Sequence, residues 1–507
     1  MKFFVVPLLL WQAIAQAWAY YVTEPELEPL SIAVTYRHPT IQPAPGYFFI
    51  GSWSKGIQGA YIVDNDGIPV YINNSVIPVI NFGKQMLNGQ PVLTYWTGTE
   101  NAGGFGMEDG KVNILNADYT FNRSVVAKNS PDLHESRITN QNTMLSTFYR
   151  NESNVDISAA PGNYSTGYIA ESCFQELDLN NNNTVLFEYC AREGVTFDKA
   201  YDPPPKEPTE QTPWDWFHIN SVDKDALGNY IFSGRYTSSI YYLDAKSRNI
   251  SWILGGKMNQ FNGSGSDFFG QHHVHLIDEQ DLSAEEVQQK NTNGTRHLAL
   301  WDNAVLNGKS SRSDSRGMEF EIDFAKNTTT LIRNFEKPGN VTNLKARSQG
   351  SAQVLGGNST MGHVVTDYGS TPAYAEYDAN GESVLLAYFA NPNSSYAYRV
   401  YKDEWVGQPK TAPSVAKIGD KVYVSWNGAT EVTNWRVTQS SDSKDVNANA
   451  NSTDVRKTGF ETAIPINLNA TLTQISALGK DGNVLSKSVV LDKDGKSQGG
   501  EMKGYSS

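Results

Sequence analysis

Cysteine, long apolar runs and helix signals are all scarce in this 507-residue chain. With only two cysteines, a thiol catalyst is not expected. After the N-terminal segment no stretch reaches about eighteen apolar residues, which argues against a membrane-spanning helix. Basic residues are outnumbered, 41 Lys and Arg against 54 Asp and Glu, for a formal net charge of −13. This acidic balance argues against nucleic acid or an anionic membrane as a partner.

The N-terminus predicts a secretory signal peptide over residues 1–19. One lysine precedes an apolar run that is too short to span a bilayer, and Ala17-Trp18-Ala19 gives an A-x-A cleavage pattern. We therefore expect a soluble protein in the secretory pathway or outside the cell.

Fourteen N-x-S/T sequons support the same compartment, because glycans need surface positions in a secreted chain. The predicted glycosylation sites are Asn73, Asn122, Asn151, Asn163, Asn182, Asn249, Asn262, Asn293, Asn327, Asn340, Asn358, Asn393, Asn451 and Asn469.

The two cysteines, Cys173 and Cys190, lie symmetrically about the turn-like segment Asn181–Asn183. They are expected to face each other across two strands, and an oxidising compartment favours a disulfide between them. Two free buried thiols are the alternative.

A strand–turn–strand unit recurs six times along the chain, with Asp, Asn or Gly at each turn. Its copies are Gly59–Asn73, Gly110–Val125, Cys173–Cys190, Ser239–Gly256, Gly317–Glu336 and Ala373–Phe389. Most copies follow a further strand pair, and four strands in each of six repeats predict an all-β, six-bladed β-propeller over residues 20–405.

The pattern changes after residue 405. Short strands with one Trp per strand pair predict a fibronectin- or immunoglobulin-like β-sandwich over residues 406–490. The polar segment 491–507 is predicted to be a flexible tail. The one clear helical candidate is Ser283–Lys290, with Ser283 as its N-cap.

Three histidines, His134, His218 and His272, begin the predicted first strands of consecutive repeats. Because first strands line a propeller's channel, the three imidazoles are expected to converge near its mouth. Asn220 shares a strand face with His218. Arg235, on the next strand, suits an oxyanion such as sulfate, phenolate or enolate. An ion pair with an acidic residue nearby, Asp215 or Asp223, is an equally open interpretation of the arginine.

Two further motifs give weaker evidence for a function. His273 and His275 form an H-x-H pair, but no third ligand has a convincing spacing, so we predict no metal site and no cofactor. The G-x-S-x-G match at Gly495–Gly499 lacks the strand–turn–helix context of a hydrolase.

These motifs resemble those of the arylsulfotransferase-like β-propeller family over residues 45–390. The matching segments are H-E-S-R at His134, H-I-N-S-V-D at 218–223, S-G-R at 233–235, W-I-L-G-G at 252–256, F-G-Q-H at 269–272, W-D-N at 301–303 and S-R-G-M-E-F-E-I-D at 315–323. In the bacterial members a Q-H histidine carries the sulfuryl group transiently. The resemblance therefore implies His272 as nucleophile, assisted by His134, His218, Asn220 and Arg235.

The substrate is expected to be a flat organic molecule bounded by aromatic residues, although most aromatics of this region are expected to pack between blades. We assign the substrate-binding surface to Trp216, Phe217, Tyr236, Phe269, Trp301, Asn303 and Arg316.

Two motifs depart from the family pattern: S-S-R-H becomes S-G-R-Y, with Tyr236, and Q-H-D becomes Q-H-H, with His273. The domain layout instead resembles the fungal secreted branch, which includes hetero-Diels–Alderases of tropolonic sesquiterpenoid pathways. Such a pocket joins an o-quinone methide to an olefin such as humulenol without a covalent intermediate.

Three hypotheses follow. We favour a pericyclase with small aromatic and terpenoid substrates, on the layout and the two altered motifs. The alternatives are an aryl sulfotransferase that acts through sulfo-His272, and a non-catalytic binding glycoprotein. The sequence leaves the oligomeric state open.

Overall fold

The structure, a computed structural model, describes residues 21–53, 56–99, 109–277, 282–338, 341, 344–356, 362–389 and 397–498. The predicted signal peptide and three predicted glycosylation sites (Asn340, Asn358 and Asn393) lie outside these residues. Strands make up 50% of the chain and helices 4%, which confirms the all-β prediction. In the described ranges, no helix is both long and apolar enough to cross a membrane.

Strands follow one another almost without interruption. Up to residue 403 they are β1 (Ile32–Arg37), β2 (Tyr47–Ser52), β3 (Gly59–Val63), β4 (Pro69–Asn73), β5 (Ile80–Leu87), β6 (Gln90–Thr99), β7 (Asp109–Asn116), β8 (Phe121–Val125), β9 (Ser136–Ile138), β10 (Thr143–Asp156), β11 (Thr166–Asp178), β12 (Thr184–Cys190), β13 (Trp214–Asp215), β14 (Ile219–Lys224), β15 (Tyr230–Gly234), β16 (Ser239–Asp244), β17 (Asn249–Gly255), β18 (Asn262–Gly263), β19 (His272–Ile277), β20 (Thr295–Asp302), β21 (Val305–Leu306), β22 (Lys309–Ser310), β23 (Arg316–Asp323), β24 (Thr328–Phe335), β25 (Ser351–Val354), β26 (Val364–Asp367), β27 (Ala373–Tyr377), β28 (Ser383–Phe389) and β29 (Ala397–Asp403). The C-terminal region adds β30 (Ser414–Ile418), β31 (Lys421–Ser425), β32 (Asn434–Ser440), β33 (Ala450–Arg456), β34 (Glu461–Pro465), β35 (Leu472–Leu478), β36 (Val484–Lys487), β37 (Val490–Asp492) and β38 (Ser497–Gln498).

The predicted helix is present as α1 (Ala284–Asn293). Ser283 is its N-cap as predicted: the Ser283 hydroxyl accepts a hydrogen bond from the Glu286 backbone N–H at 3.3 Å. The Glu286 carboxylate accepts one from the Ser283 N–H in return, at 2.8 Å, so the two residues form a capping box. Short 3₁₀ turns occur at Ala191–Glu193, Phe197–Lys199, Gly256–Met258 and Ser264–Ser266.

Before residue 404, β21 and β22 form a separate hairpin, and the other strands form six sheets, each with four antiparallel core strands that follow one order. These orders are β29-β2-β3-β4, β5-β6-β7-β8, β9-β10-β11-β12, β14-β15-β16-β17, β19-β20-β23-β24 and β25-β26-β27-β28. All six predicted strand–turn–strand units are present, each as the last two strands of one sheet.

The six sheets contact one another in a cyclic order. Contacts join β29 to β5, β5 to β9, β10 to β14, β14 to β19, β19 to β25, and β25 back to β29. A separate hydrophobic cluster fills each space between neighbouring sheets. One example joins Phe174 of β11 to Phe232 of β15, with ring centroids 5.5 Å apart. Burial of these apolar side chains holds adjacent sheets together, so the first strand of each sheet lies beside an adjacent sheet.

The cysteine prediction is confirmed. Cys173 on β11 and Cys190 on β12 are paired across the ladder and joined by a disulfide. The sequon asparagines with described side chains lie at the surface: Asn73 is half-buried and the others are exposed.

Strands β30 to β38 form two sheets, β30-β31-β34 and a second sheet built on β33-β32-β35. The two sheets share one core that includes Val424, Trp435 and Ile475. The predicted flexible tail needs correction at its start. Leu491 is only 4% exposed in this core, and β37 pairs with β38, so order continues to residue 498. Apolar burial of a single leucine extends the sheet past the polar boundary seen in the sequence.

Asn427 joins the C-terminal sheets to the outer edge of β4. Its Oδ1 accepts a hydrogen bond from the Ile72 N–H at 2.9 Å, and its Nδ2 donates to the Ile72 carbonyl at 2.8 Å. One amide thus replaces the strand that would otherwise pair with this edge.

We expect Asn427→Ala to lower the free energy of unfolding by about 2 kcal/mol, because both backbone groups of Ile72 lose their partners. The measurement is denaturant unfolding, with Asn447→Ala as the control, since Asn447 bonds only within its own exposed turn. Equal stability of the two variants would contradict this role of Asn427.

Candidate functional site

The innermost strands of the six sheets each place a polar side chain at or next to their N-terminal end. These residues are Asn81 (β5), His134 (before β9), His218 (before β14), His272 (β19), Gln349 (before β25) and Tyr398 (β29). At Asn81, His218 and Gln349 the backbone has a positive φ of 54°, 57° and 65°. A non-glycine residue is uncommon in this region, and such strain tends to occur at functional sites.

The three histidines predicted to meet are brought together. The ring centroids of His134 and His218 are 4.7 Å apart. The Tyr398 ring lies 5.6 Å from His134 and 6.2 Å from His272. All four residues are at least nine-tenths buried, so the cluster is shielded from bulk water.

Two of the histidines are oriented by carboxylates. His134 Nδ1 lies 2.9 Å from Asp132 Oδ1, which also accepts a hydrogen bond from the Thr147 hydroxyl. His218 Nδ1 bonds Asp215 Oδ2 in the same way. In the neutral tautomer that donates its Nδ1–H to the carboxylate, the His218 imidazole keeps an Nε2 lone pair as a base.

Burial decides the charge of these rings. Desolvation lowers the pKa of His218 below its ordinary value, and the Asp215 carboxylate opposes this only in part. Desolvation, followed by the Arg235 charge, lowers the pKa of His272 well below its ordinary value. Both imidazoles are therefore neutral near pH 7.

Arg235 supplies a fixed positive charge beside the rings. Its Nη2 donates to the Arg347 carbonyl at 2.8 Å, and its guanidinium lies 5.3 Å from the Tyr236 ring centroid. Neither Asp215 nor Asp223, the two ion-pair partners considered, is bonded to it: Asp215 pairs with His218 and Asp223 with Arg137.

Several buried polar atoms of the cluster have no hydrogen-bond partner among the described residues. They are Arg235 Nε, Tyr398 Oη, Gln349 Oε1 and Asp215 Oδ1. Unpaired buried polar atoms are costly, so their concentration here indicates a position for a polar ligand.

His272 is held at both ring nitrogens. Nδ1 lies 2.6 Å from Asn303 Oδ1, and Nε2 accepts a hydrogen bond from the Gln349 backbone N–H at 3.3 Å. Asn303 is itself held by its Nδ2, which donates to the carbonyls of Ala346 and Gln349. The ring is 1% exposed.

Asn220 and Arg399 support the cluster from behind. Asn220 Nδ2 donates to the Gln271 carbonyl at 2.6 Å, so it positions the strand that carries His272. Arg399 is fully buried, and its Nη2 donates to the carbonyls of His134 and Asn220, at 2.8 Å each. Sequence reasoning missed Arg399; an arginine inside the apolar run A-Y-R-V-Y was its one signal.

Five of the seven predicted substrate-binding residues are buried, and the other two are half-buried. Trp216, Phe217 and Trp301 are fully buried in the clusters between sheets. Asn303 is fully buried and holds His272, and Arg316 is ion-paired with Asp302. Tyr236 and Phe269 are half-buried. Tyr236 lines a cavity of about 210 Å³ beside the His218 ring, and Asp215 and the otherwise buried Trp216 line it as well.

Solved structures that resemble the chain share little sequence with it. A Bacteroides caccae protein of unknown function is 11% identical, covers 71% of this chain and 99% of its own, and has a TM-score of 0.37. A Lactobacillus plantarum protein is 11% identical, covers 88% and 97%, and has a TM-score of 0.33. An exo-beta-1,3-galactanase from Phanerochaete chrysosporium is 9% identical, covers 83% and 94%, and has a TM-score of 0.30.

No curated protein matches the chain. A family model described as arylsulfotransferase (ASST), however, matches residues 83–390. This match covers more than half of the 507 residues and includes His134, His218, Arg235 and His272. The chain therefore belongs to the arylsulfotransferase (ASST) family.

Proposed function

We propose that the chain is a secreted pericyclase built on a six-bladed β-propeller, with a β-sandwich module after residue 405. The cyclic contacts of the six sheets support the propeller, and the shared core of the last two sheets supports the sandwich. The disulfide and the exposed sequons support passage through the secretory pathway.

The proposed reaction is a hetero-Diels–Alder addition of an o-quinone methide, formed from a phenol or tropolone, to a sesquiterpene olefin such as humulenol. The observation that carries it is the state of His272. With Asn303 at Nδ1, the Gln349 N–H at Nε2 and 1% exposure, this imidazole has no open lone pair for a covalent intermediate. A reaction that needs donors and a base, but no nucleophile, fits the cluster best.

The first step is loss of water from a hydroxymethyl arene. His218 Nε2 takes the phenolic proton, and the benzylic C–O bond breaks. The departing hydroxyl group receives that proton back from His218 and leaves as water. Arg235 Nε–H and the Tyr398 hydroxyl, which have no partner within the described ranges, stabilise the arene oxygen as its charge develops.

The second step forms one C–C and one C–O bond between the quinone methide and the alkene, with no group gained or lost. Arg235 and Tyr398 polarise the carbonyl oxygen of the quinone methide. Burial raises the pKa of Tyr398, so its hydroxyl remains a donor. Holding two reactants in register contributes roughly 7–11 kcal/mol at best.

Sulfuryl transfer from an aryl sulfate to a phenol is the second candidate, favoured by the family match and by the neutral His272. In this reaction Nε2 attacks sulfur, the S–O bond to the aryl group breaks, and a phenol acceptor then takes the sulfuryl group while a base accepts its proton. The Gln349 N–H would first have to leave Nε2.

We expect His218→Gln to slow the cycloaddition by about 10²–10⁴-fold, because the base is lost. Tyr398→Phe is expected to slow it by about 10²–10³-fold, because a donor to the oxyanion is lost. Rates are measured with a quinone-methide precursor and humulenol, and His297→Gln, at a surface ion pair with Glu321, is the control. Activity equal to wild type in both site variants would exclude His218 and Tyr398 from the mechanism, and a wild-type rate equal to that in buffer would leave a non-catalytic binding protein.

His272→Gln separates the two candidate reactions. The pericyclase is expected to keep measurable cycloaddition, while a sulfotransferase loses all transfer from a chromogenic aryl sulfate to a phenol. Intact-protein mass spectrometry after incubation with the aryl sulfate checks for a sulfuryl adduct. Wild-type transfer that His272→Gln abolishes, together with such an adduct, would overturn the pericyclase proposal.

The pH profile tests the role of His218 as base. Because its folded pKa is lowered, kcat/KM is expected to be constant above about pH 6.5 and to fall only at lower pH, as the ring gains a proton. Asp215→Asn removes the charge that raises this pKa against the opposing effects of His134 and Arg235, so the acid limb is expected to move to lower pH. A shift of the limb to higher pH would contradict the assignment.

A further inference from the structure

A second cavity, of about 930 Å³, lies within the ring of first strands. Its wall includes residues of β5, β9, β19, β25 and β29, among them Asn81, Ser136, Arg137, His273 and His275. None of His134, His218, Arg235 or His272 lines it. Its volume is within the range of sites for small organic molecules.

Arg399 separates this cavity from the histidine cluster. Its Nη2 bonds the carbonyls of His134 and Asn220 on the cluster side. Its Nη1 bonds Glu135 at 3.0 Å and the Tyr401 hydroxyl at 3.2 Å, and both of these residues line the cavity. The cavity is therefore a chamber distinct from the proposed catalytic site.

The three lysine and arginine side chains on the chamber wall are ion-paired. Arg137 pairs with Asp223, Lys84 with Asp403 and Lys402 with Glu376. A ligand with a net charge would have to compete with these pairs, so the chamber suits a neutral molecule.

Two polar atoms on its wall lack partners. Asn81 Oδ1 and Ser136 Oγ have no hydrogen-bond partner in the part of the chain that the structure describes, and both residues are 5% exposed. The Asn81 amide nitrogen is already used, since it donates to the Leu133 carbonyl at 2.7 Å. Its oxygen therefore needs a donor from a ligand or water.

Two imidazoles on the wall are acceptors as well. His273 Nδ1 lies 3.1 Å from the Ala352 carbonyl, and His275 Nδ1 lies 3.2 Å from the His273 carbonyl, so each Nδ1 carries the proton. Burial lowers the pKa of both rings, that of His275 to about 4, and leaves them neutral. The two ring centroids are 4.7 Å apart, so the chamber wall carries two neighbouring imidazoles, each with Nε2 as its acceptor.

We propose that this chamber binds a neutral polyhydroxylated molecule of about disaccharide size, whose hydroxyl groups donate to His273, His275, Asn81 and Ser136. Metal is a poorer match, because the described residues contain no group of three or more His, Cys, Asp or Glu side chains arranged to hold one. This proposal does not depend on which reaction the histidine cluster performs.

The test is calorimetric titration of the full protein with cellobiose, maltose and xylobiose, with inorganic sulfate as the charged comparison. We expect one of the disaccharides to bind, and His275→Phe, which keeps ring size and removes the acceptor, to weaken it at least tenfold. Arg235→Gln, in the separate cluster, is expected to leave this binding unchanged.

Ser136→Ala is the second variant, because it removes an unpaired hydroxyl and should leave the melting temperature unchanged or higher while it weakens disaccharide binding. Failure of all three sugars to bind at millimolar concentration, binding that neither chamber variant alters, or binding of sulfate in preference to the sugars would overturn the proposal.

Discussion

Strand β29 pairs with β2, and this pairing closes the cycle of contacts among the six sheets. It joins Tyr401 to Phe49, so a strand near residue 400 completes a sheet that begins near residue 47. With this pairing, each of the six larger sheets has a neighbour on both sides, and each intervening space holds an apolar cluster. Removing it would expose two apolar faces at once, which is why burial in all six spaces is coupled to one ladder.

The same strand carries the residues that connect the two ends of the ring of first strands. Tyr398 stands between His134 and His272, and Arg399 bonds the backbone that carries His134 and Asn220. Arg399 is charged and fully buried, and Glu135 compensates this charge at 3.0 Å. A buried pair adds little net stability, but loss of one partner is costly, so the pair fixes one arrangement of the surrounding strands. The strand that closes the cycle of sheets therefore also fixes the geometry of the histidine cluster.

Part of this arrangement could be predicted from the sequence. The six strand–turn–strand units have turn residues and alternating apolar positions that are local signals, and all six form. His134, His218 and His272 were expected to converge because each begins an equivalent strand, and they do.

Arg399 and Tyr398 could not be found this way. Their strand pairs with a segment about 350 residues earlier in the chain. A local sequence pattern does not predict pairing between segments so far apart in sequence. The cap on His272 comes from a backbone N–H, which every non-proline residue carries, so it has no sequence signature. Aromatic composition likewise does not show which rings line a cavity: Phe217 and Trp301 are in the core, whereas Trp216 also lines the small cavity beside His218.

The choice between a covalent and a non-covalent role for His272 depends on the packing behind Gln349. The Gln349 N–H bond at 3.3 Å is worth only about 1 kcal/mol, so its energy alone would not prevent a sulfuryl group from reaching Nε2. Gly350, however, is pressed against Trp301: a Cβ there would meet the indole at 2.5 Å. Trp301 is fully buried and cannot retreat without opening a cavity in its cluster. The backbone next to Gln349 is thus fixed by core packing, in addition to the hydrogen bond that Gln349 donates to His272.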